Sequence, residues 1–403
     1  MQQRASLWFV FIVLLIDMIG FGIVMPVLPS LIMHLGDMPI DAAGVWNGWL
    51  LAGYAAMQFV FAPVIGNLSD RFGRRPVLLA CLVAYGIDYA VQGLAPTLGW
   101  LVAGRVIAGV TGASYSAVYA YIADVTPPEK RAGAFGVLGI AFGFGFIIGP
   151  AIGGLLGEIG PRVPFLAAAG MAFANALFGF VFLKESLAPE NRRPFRWARA
   201  NAFAALRALQ RQDRAVLWFV AALGVWQLAH VVYPAMWAFI ATDAFGWSAG
   251  EIGLSLTAVG VGSALVQGLV LPRLVPRIGE VRAVMIGVGS IVAVTLVYAF
   301  VRSDPVIYAA LVFNGLQGLV QPSIAALNSK AVDARSQGEL QGATQAVGSL
   351  AQIAGPLLYA AVFARFAGPR AVVDFPTMPL VVAAGIAVVT LALVVRAERR
   401  LPA

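Results

Sequence analysis

Apolar residues occur along the chain in long runs, which short polar or charged segments separate. Reading these runs against glycine, proline and charge gives twelve segments of membrane-spanning length, which begin near residues 6, 45, 76, 98, 132, 163, 214, 248, 282, 304, 335 and 376. About 20 apolar residues are needed to cross a hydrocarbon core of roughly 30 Å. The runs lack the alternation of a membrane β-barrel, so they predict an all-α polytopic membrane protein with twelve transmembrane helices.

The composition supports the same class. Hydrophobic residues make up 60% of the 403 residues and charged residues only 11%, whereas soluble domains carry about 25% charged residues. The first run, Leu7 to Leu35, is longer than the core of a cleavable signal, so we expect it to remain as the first span. Cys81 is the single cysteine, which excludes an internal disulfide and a cysteine metal cluster.

The positive charge is unevenly distributed between the two sides of the predicted membrane. Most of the 27 Lys and Arg residues fall in alternate connections and near the two ends of the chain. Because cytoplasmic loops are enriched in Lys and Arg, this asymmetry predicts cytoplasmic termini in a multi-pass protein of a bacterial-type inner membrane. The net charge of +8 is then explained by topology, and no nucleic-acid partner is expected.

The chain divides into two similar halves. The longest charged segment, 185–213, is predicted to be a cytoplasmic linker between an N-terminal bundle of six helices (1–184) and a C-terminal one (214–403). The pair Gly149-Pro150 recurs as Gly355-Pro356, and a glycine lies 13 residues before each pair. This duplication predicts two pseudo-symmetric six-helix bundles, an arrangement typical of secondary transporters.

Three ionisable residues, Asp17, Asp88 and Arg105, lie well inside predicted spans. A charge at this depth costs at least about 2.5 kcal/mol, so each needs a partner or a function. Counting from the ends of the third and fourth runs places Asp88 and Arg105 at the same depth. Burial favours a protonated carboxyl group and a nearby guanidinium favours the ionised form, so the three residues are candidates for proton coupling. A permanent ion pair between Asp88 and Arg105 is the structural alternative.

A charged turn interrupts the second and third runs. Its candidate gating residues are Gly66, Ser69, Asp70, Arg71, Gly73, Arg74 and Arg75. The two glycines permit a tight turn, and the Asp70 carboxylate is suited to meet the positive amino end of a helix. The arginines are equally well explained as anchors at the cytoplasmic face.

The fifth run contains a spaced set of small residues: Gly145, Gly149, Pro150, Gly153 and Gly154. Small residues allow two membrane helices to approach closely, and a proline inside a helix favours a kink. The pattern therefore predicts a hinge, with ordinary close packing as the alternative.

In this order along nearly the whole chain, these motifs resemble those of the major facilitator superfamily. Within it, the chain is similar to drug/proton antiporters of the tetracycline-exporter type. The resemblance implies alternating access, an antiport hinge in span five, and a contact of Asp70 near the start of span eleven, around Arg335 to Gln341. It also implies that Asp17, Asp88 and Arg105 take part in transport. One departure stands out, because Ile291 and Ser263 occupy the positions where the family's tetracycline exporters carry an acid and a histidine.

Neutral polar and aromatic residues occur inside several spans and are candidates for the lining of a substrate cavity. They are Tyr54, Gln58, Gln227, Tyr233, Trp237, Gln267, Asn314, Gln317, Gln321 and Gln345. Such groups hold an amphipathic ligand by stacking and hydrogen bonding. Hydrogen bonds between helices explain each of them equally well.

The sequence thus predicts a proton-coupled exporter of tetracycline-like or other amphipathic drugs, acting as a monomer in the bilayer. A metabolite or siderophore exporter, or a uniporter, of the same fold is the alternative. An enzyme is disfavoured because the sequence contains no nucleotide-binding loop, no metal cluster and only two histidines. No cofactor is expected, and a divalent cation would enter only as part of a chelated substrate.

Overall fold

The computed structural model describes residues 2–127, 131–197, 201, 203, 214–330, 337–369 and 371–399. Within these ranges the regular structure is helical, and twelve helices are long and apolar enough to cross a membrane. We number them span 1 to span 12: Trp8–Gly36, Ile40–Phe72, Arg74–Gly93, Leu98–Val125, Gly139–Gly157, Val163–Phe182, Val216–Phe245, Ala249–Ile278, Glu280–Phe300, Asp304–Ser329, Gly342–Phe366 and Met378–Glu398. The prediction of an all-α protein with twelve spans is confirmed.

Several spans depart from regular α-helix. A 3₁₀ turn, Met25–Val27, interrupts span 1 at Pro26, whose ring removes a backbone donor. Span 8 contains a π-helical segment, Val266–Val270, and span 10 contains a 3₁₀ segment, Gly315–Leu319. The last two segments contact each other. Irregular turns of this kind inside helices often occur at functional sites.

The chain forms two compact units that do not follow the sequence halves strictly. Unit 1 comprises Met1–Asp37, Gly53–Ala202 and Ser248–Thr257, and unit 2 comprises Met38–Ala52, Phe203–Trp247 and Ala258–Ala403. The start of span 2 therefore belongs to unit 2, and the start of span 8 belongs to unit 1. The division into bundles 1–184 and 214–403 with a linker at 185–213 stays a prediction.

Glycines allow the start of span 2, which belongs to unit 2, to pack closely within that unit. A Cβ on Gly48 would lie 2.9 Å from the carbonyl oxygen of Pro356 in span 11, and one on Gly44 would lie 2.8 Å from the Phe363 ring. Asn47, 1% exposed, donates a 2.6 Å hydrogen bond to the carbonyl of Ala235 in span 7. Close backbone approach and one buried amide thus hold this segment.

Each unit has its own apolar core. In unit 1, Leu14 and Tyr121 belong to a buried cluster that joins spans 1, 3, 4 and 5. A smaller cluster contains Cys81, which packs with Ile65 and Ala113. In unit 2, Trp226 lies in a large cluster that joins spans 7, 9, 10 and 12. Dispersion contacts in these cores hold the helices together, because burial from lipid supplies little hydrophobic driving force.

Candidate functional site

The polar centre of unit 1 consists of three buried, hydrogen-bonded side chains in spans 3 and 4. Asp88 is 1% exposed, Gln92 is fully buried, and Arg105 is 6% exposed. The Gln92 amide donates to Asp88 Oδ1 at 2.7 Å. Its carbonyl oxygen accepts hydrogen bonds from Arg105 Nε at 3.1 Å and Nη2 at 2.7 Å. Asp88 and Arg105 therefore belong to one hydrogen-bonded network, in which the Gln92 amide lies between them.

The absence of a side chain at Gly104 leaves the space that Asp88 and Gln92 occupy. A Cβ at this position would lie 2.7 Å from Asp88 Oδ1 and 2.8 Å from Gln92 Cγ. These distances are well below ordinary contact, so a larger residue would displace the carboxylate or the amide. In span 3, two residues before Asp88, Gly86 receives the ring of Phe173 from span 6 in the same manner.

A second group of polar side chains lies beside the first, where span 2 meets spans 3 and 4. Gln58 donates to the carbonyl of Gly112 at 3.1 Å. A Cβ on Gly112 would lie 2.7 Å from Tyr54 Oη and 3.0 Å from Tyr85 Oη, so both hydroxyls lie against this glycine. The structure thus brings Tyr54 and Gln58 together, as the cavity prediction requires, and adds Tyr85.

Asp17 lies on the span 1 side of the same centre. Its carboxylate is within electrostatic reach of the hydroxyls of Tyr54, Tyr85, Tyr89 and Tyr115. The Tyr89 ring lies 3.5 Å from a Cβ position on Gly20, and Tyr115 Oη donates to Met18 Sδ at 3.5 Å. No hydrogen bond among the described residues involves the Asp17 carboxylate. Unlike Asp88, it has no amide donor among the described residues.

The predicted hinge residues of span 5 lie against the backbone of span 1. A Cβ on Gly149 would lie 2.7 Å from the Ile19 carbonyl oxygen, and Gly145 and Gly153 meet Met18 and Ile23 at least as closely. Pro150 contacts the same helix at Gly22. Gly154 instead faces the start of span 8, where a Cβ would lie 2.7 Å from the carbonyl oxygen of Ala249. Three of the glycines therefore form one close helix contact beside Asp17.

Arg74 is the centre of the charged turn between spans 2 and 3. It is 7% exposed and bonds Ser69 Oγ and Asp70 Oδ1 through Nη1, each at 2.6 Å. Its Nε bonds Asp124 Oδ2 in span 4 at 3.1 Å. In this structure Asp70 thus pairs within its own turn. Of the predicted partner region, Arg335 to Gln341, residues 335 and 336 lie outside the described residues, so that contact stays a prediction.

The remaining residues of the turn have separate roles. Gly73 adopts φ +105°, a conformation that favours glycine, and a side chain there would meet Glu185. Ser69 donates to the Gly66 carbonyl at 2.7 Å. Arg71 stacks on the ring of Phe72, and Arg75 donates to the Phe180 carbonyl at 2.6 Å.

The start of the predicted linker is bound to this turn. Glu185 accepts hydrogen bonds from the backbone N–H groups of Arg74 at 2.9 Å and Arg75 at 3.3 Å, so it caps the positive amino end of span 3. Asn67 donates to the carbonyl of Arg196 at 2.8 Å, and the Arg193 N–H donates to the Asp70 carbonyl at 3.0 Å.

The other cavity candidates lie in unit 2. Tyr233 is hydrogen-bonded to Thr295 Oγ1 at 3.0 Å, and its ring belongs to a row that runs from Trp226 through His230 to Trp237. Gln227 is half-buried, and the exposed candidates are Gln267, Gln321 and Gln345. Gln267 reaches Gly318 across the contact between spans 8 and 10.

Two of these candidates are buried amides that lack a partner for one oxygen. Asn314 is 1% exposed and Gln317 is 6% exposed, and within the described ranges neither Asn314 Oδ1 nor Gln317 Oε1 has a hydrogen-bond partner. Ile291 lies in the apolar core of unit 2 at 2% exposure, which places no polar group at that position of span 9. A single cavity lined by all ten candidates stays a prediction.

Sequence reasoning missed Gln92, Asp124 and Glu185. Gln92 lies four residues after Asp88 on the same helical face, and that spacing was the available signal. Glu185 lies three residues after the end of span 6, where an acid is free to reach a neighbouring helix terminus. Asp124 carries no local signal, because its partner is 50 residues away in the sequence.

Comparisons with known proteins agree with this architecture. The family model described as Major Facilitator Superfamily matches residues 10–356 and, in a second match, 229–401. The class C tetracycline resistance protein of Escherichia coli is 40% identical over 363 residues, which cover 87% of this chain and 88% of that protein. The class G tetracycline resistance protein of Vibrio anguillarum is 37% identical over 379 residues, which cover 91% of this chain and 92% of that protein. The crystal structure of the human organic anion transporter MFSD10 superposes with a TM-score of 0.71 at 24% identity, covering 97% of this chain and 99% of that one.

Proposed function

We propose, since this chain belongs to the Major Facilitator Superfamily, that it exports tetracycline-like or other amphipathic drugs in exchange for protons by alternating access. The family consists of transporters, and the relatives that match over most of the chain are named tetracycline resistance proteins. The observation that carries the proposal is the polar centre of unit 1, where two carboxyl groups lie inside spans: Asp88 bonded to Gln92, and Asp17 beside the contact of spans 1 and 5.

Protons are the coupling ion because the carboxyl groups are poorly compensated at this depth. The Asp88 carboxylate receives one amide hydrogen bond, and none reaches Asp17 among the described residues. An ionised carboxylate inside a membrane protein costs several kcal/mol unless it is paired, so uptake of a proton removes that cost. Each carboxyl group is therefore suited to hold a proton in one conformation and to release it in another.

The substrate would be amphipathic. The candidate residues of unit 2 are amides and aromatic rings, which favour stacking and hydrogen bonding over charge recognition. If tetracycline is carried as a metal chelate, the divalent cation is part of the substrate. The basic residues of the linker and both termini face the cytoplasm in this proposal, so drug leaves a bacterial-type cell and protons enter.

The experiment is drug susceptibility of an efflux-deficient bacterial host that expresses the chain. We expect increased tolerance of tetracycline or another amphipathic drug, and we expect Asp17→Asn and Asp88→Asn to abolish it at equal protein abundance. Asp37→Asn is the matched control, because Asp37 lies between spans 1 and 2 at φ 45°, which asparagine adopts readily.

A transport assay in everted vesicles distinguishes proton antiport from uniport. An inward-acid gradient in the vesicles should drive drug uptake, and dissipating the gradient should stop it. Substrate flux that is indifferent to the gradient would favour a uniporter, and tolerance of no compound in a broad panel would favour a metabolite or siderophore exporter.

A further inference from the structure

We propose that Gln92 is a positioning residue that holds Arg105 away from Asp88 and thereby sets the pH at which Asp88 takes up a proton. The inference rests on the proposed function in assigning that proton to transport. The hydrogen bonds by which Gln92 joins Asp88 and Arg105, here called the bridge, can be tested without transport.

One neutral side chain satisfies both charged groups at once. The amide N–H of Gln92 donates to Asp88 Oδ1 at 2.7 Å, and the amide oxygen accepts two N–H bonds from Arg105. The orientation of the amide is fixed chemically, because a carboxylate requires a donor and a guanidinium requires an acceptor. Both ends are charge-assisted hydrogen bonds, which are stronger than neutral ones.

The bridge also keeps the two charges apart. In the absence of an amide acceptor, the Arg105 guanidinium would take the nearest carboxylate, which is Asp88, and a direct pair would hold that carboxyl group ionised. With Gln92 in place, only Oδ1 of Asp88 is engaged, and no other hydrogen bond among the described residues reaches the carboxylate. Asp88 therefore remains available for a proton although a guanidinium lies nearby.

Few other titratable groups face Asp88. Span 6, which packs along span 3, contains no titratable residue between Val163 and Phe182. Span 4 presents Arg105 and, further along, Tyr115. Tyr54 of span 2 and Tyr89 of span 3 interact with the charge of Asp88, and Asp17 of span 1 acts on the same tyrosines. Because the tyrosines remain neutral near pH 7, Arg105 is the main charge that a change at Gln92 would redirect.

The test is an infrared titration of the Asp88 carboxyl band in purified protein, with Asp88→Asn as the spectral reference. Gln92→Met keeps the length of the side chain and removes both hydrogen bonds, so we expect the titration midpoint to move to lower pH by about one unit. Gln92→Glu attracts Arg105 and adds a negative charge beside Asp88, so we expect a midpoint higher by about one unit. The pH profile of drug-driven proton release in vesicles should move in the same directions.

The matched control is Asn175→Leu. Asn175 is a fully buried amide in span 6 that donates to the carbonyl of Val13, away from Asp88, so its loss should leave the Asp88 midpoint unchanged. An unchanged midpoint in Gln92→Met, or shifts of the two Gln92 variants in the same direction, would overturn the proposal and indicate a packing role. If the wild-type protein moves no protons with drug, the proposed function fails, and the infrared titration still decides on the bridge.

Discussion

Replacement of Gly149 by alanine tests the close contact between spans 1 and 5. A Cβ at this position would lie 2.7 Å from the Ile19 carbonyl oxygen and 2.8 Å from Gly22 Cα. Ordinary carbon contacts are about 3.5–4.0 Å, so the two helices would have to separate by about 1 Å. Both obstructing atoms belong to backbone, which excludes relief by a change of rotamer.

The expected change in the free energy of unfolding follows from two opposing effects. Overpacking of this kind costs about 1–3 kcal/mol, and the upper part of that range applies because neither helix backbone yields easily. Alanine regains about 0.5–1 kcal/mol relative to glycine inside a helix. We therefore expect Gly149→Ala to lower the free energy of unfolding by about 1–2 kcal/mol and to weaken drug tolerance, since the same contact lies beside Asp17.

Gly143→Ala provides the matched control in the same span. A Cβ at Gly143 meets no atom within 4 Å, so only the gain in helix propensity remains. Thermal unfolding of the purified proteins in one detergent should give midpoints in the order Gly149→Ala, wild type, Gly143→Ala, with the lowest first. Equal midpoints for the two variants would refute the conclusion that span 5 depends on glycine for its contact with span 1.

Three further predictions concern other parts of the molecule. Arg74→Met leaves Asp70 and Asp124 without their shared partner, so it should lower the unfolding midpoint. Asp124→Asn should lower the midpoint less, and equal losses in the two variants would contradict the central role of Arg74. Gly112→Ala should reduce drug transport severalfold at normal abundance, because its methyl group displaces two tyrosine hydroxyls; vesicle uptake measures this. Tyr359→Phe removes a 2.8 Å hydrogen bond to the Leu228 carbonyl and should cost about 1 kcal/mol by the same unfolding assay, with transport retained.

The spans could be predicted from the sequence, since they follow from counting residues along apolar runs. Span 4 begins at Leu98 as predicted, and Asp88 and Arg105 do share a site. Span 2 begins at Ile40, about five residues earlier than predicted, because its first turns carry polar residues that pack within unit 2. Hydropathy reports contact with lipid, so it cannot reveal which neighbour a buried side chain such as Gln92 meets.

The isolation of Cys81 makes the native chain a suitable background for thiol labelling. It is the lone cysteine in the sequence, and its side chain is 5% exposed between Ile65 and Ala113. Maleimide reagents, which require access to a thiolate, should leave it largely unmodified. A single cysteine introduced elsewhere would then carry a fluorophore or spin label as the sole reporter, without prior removal of the natural residue and the cavity that this removal would create.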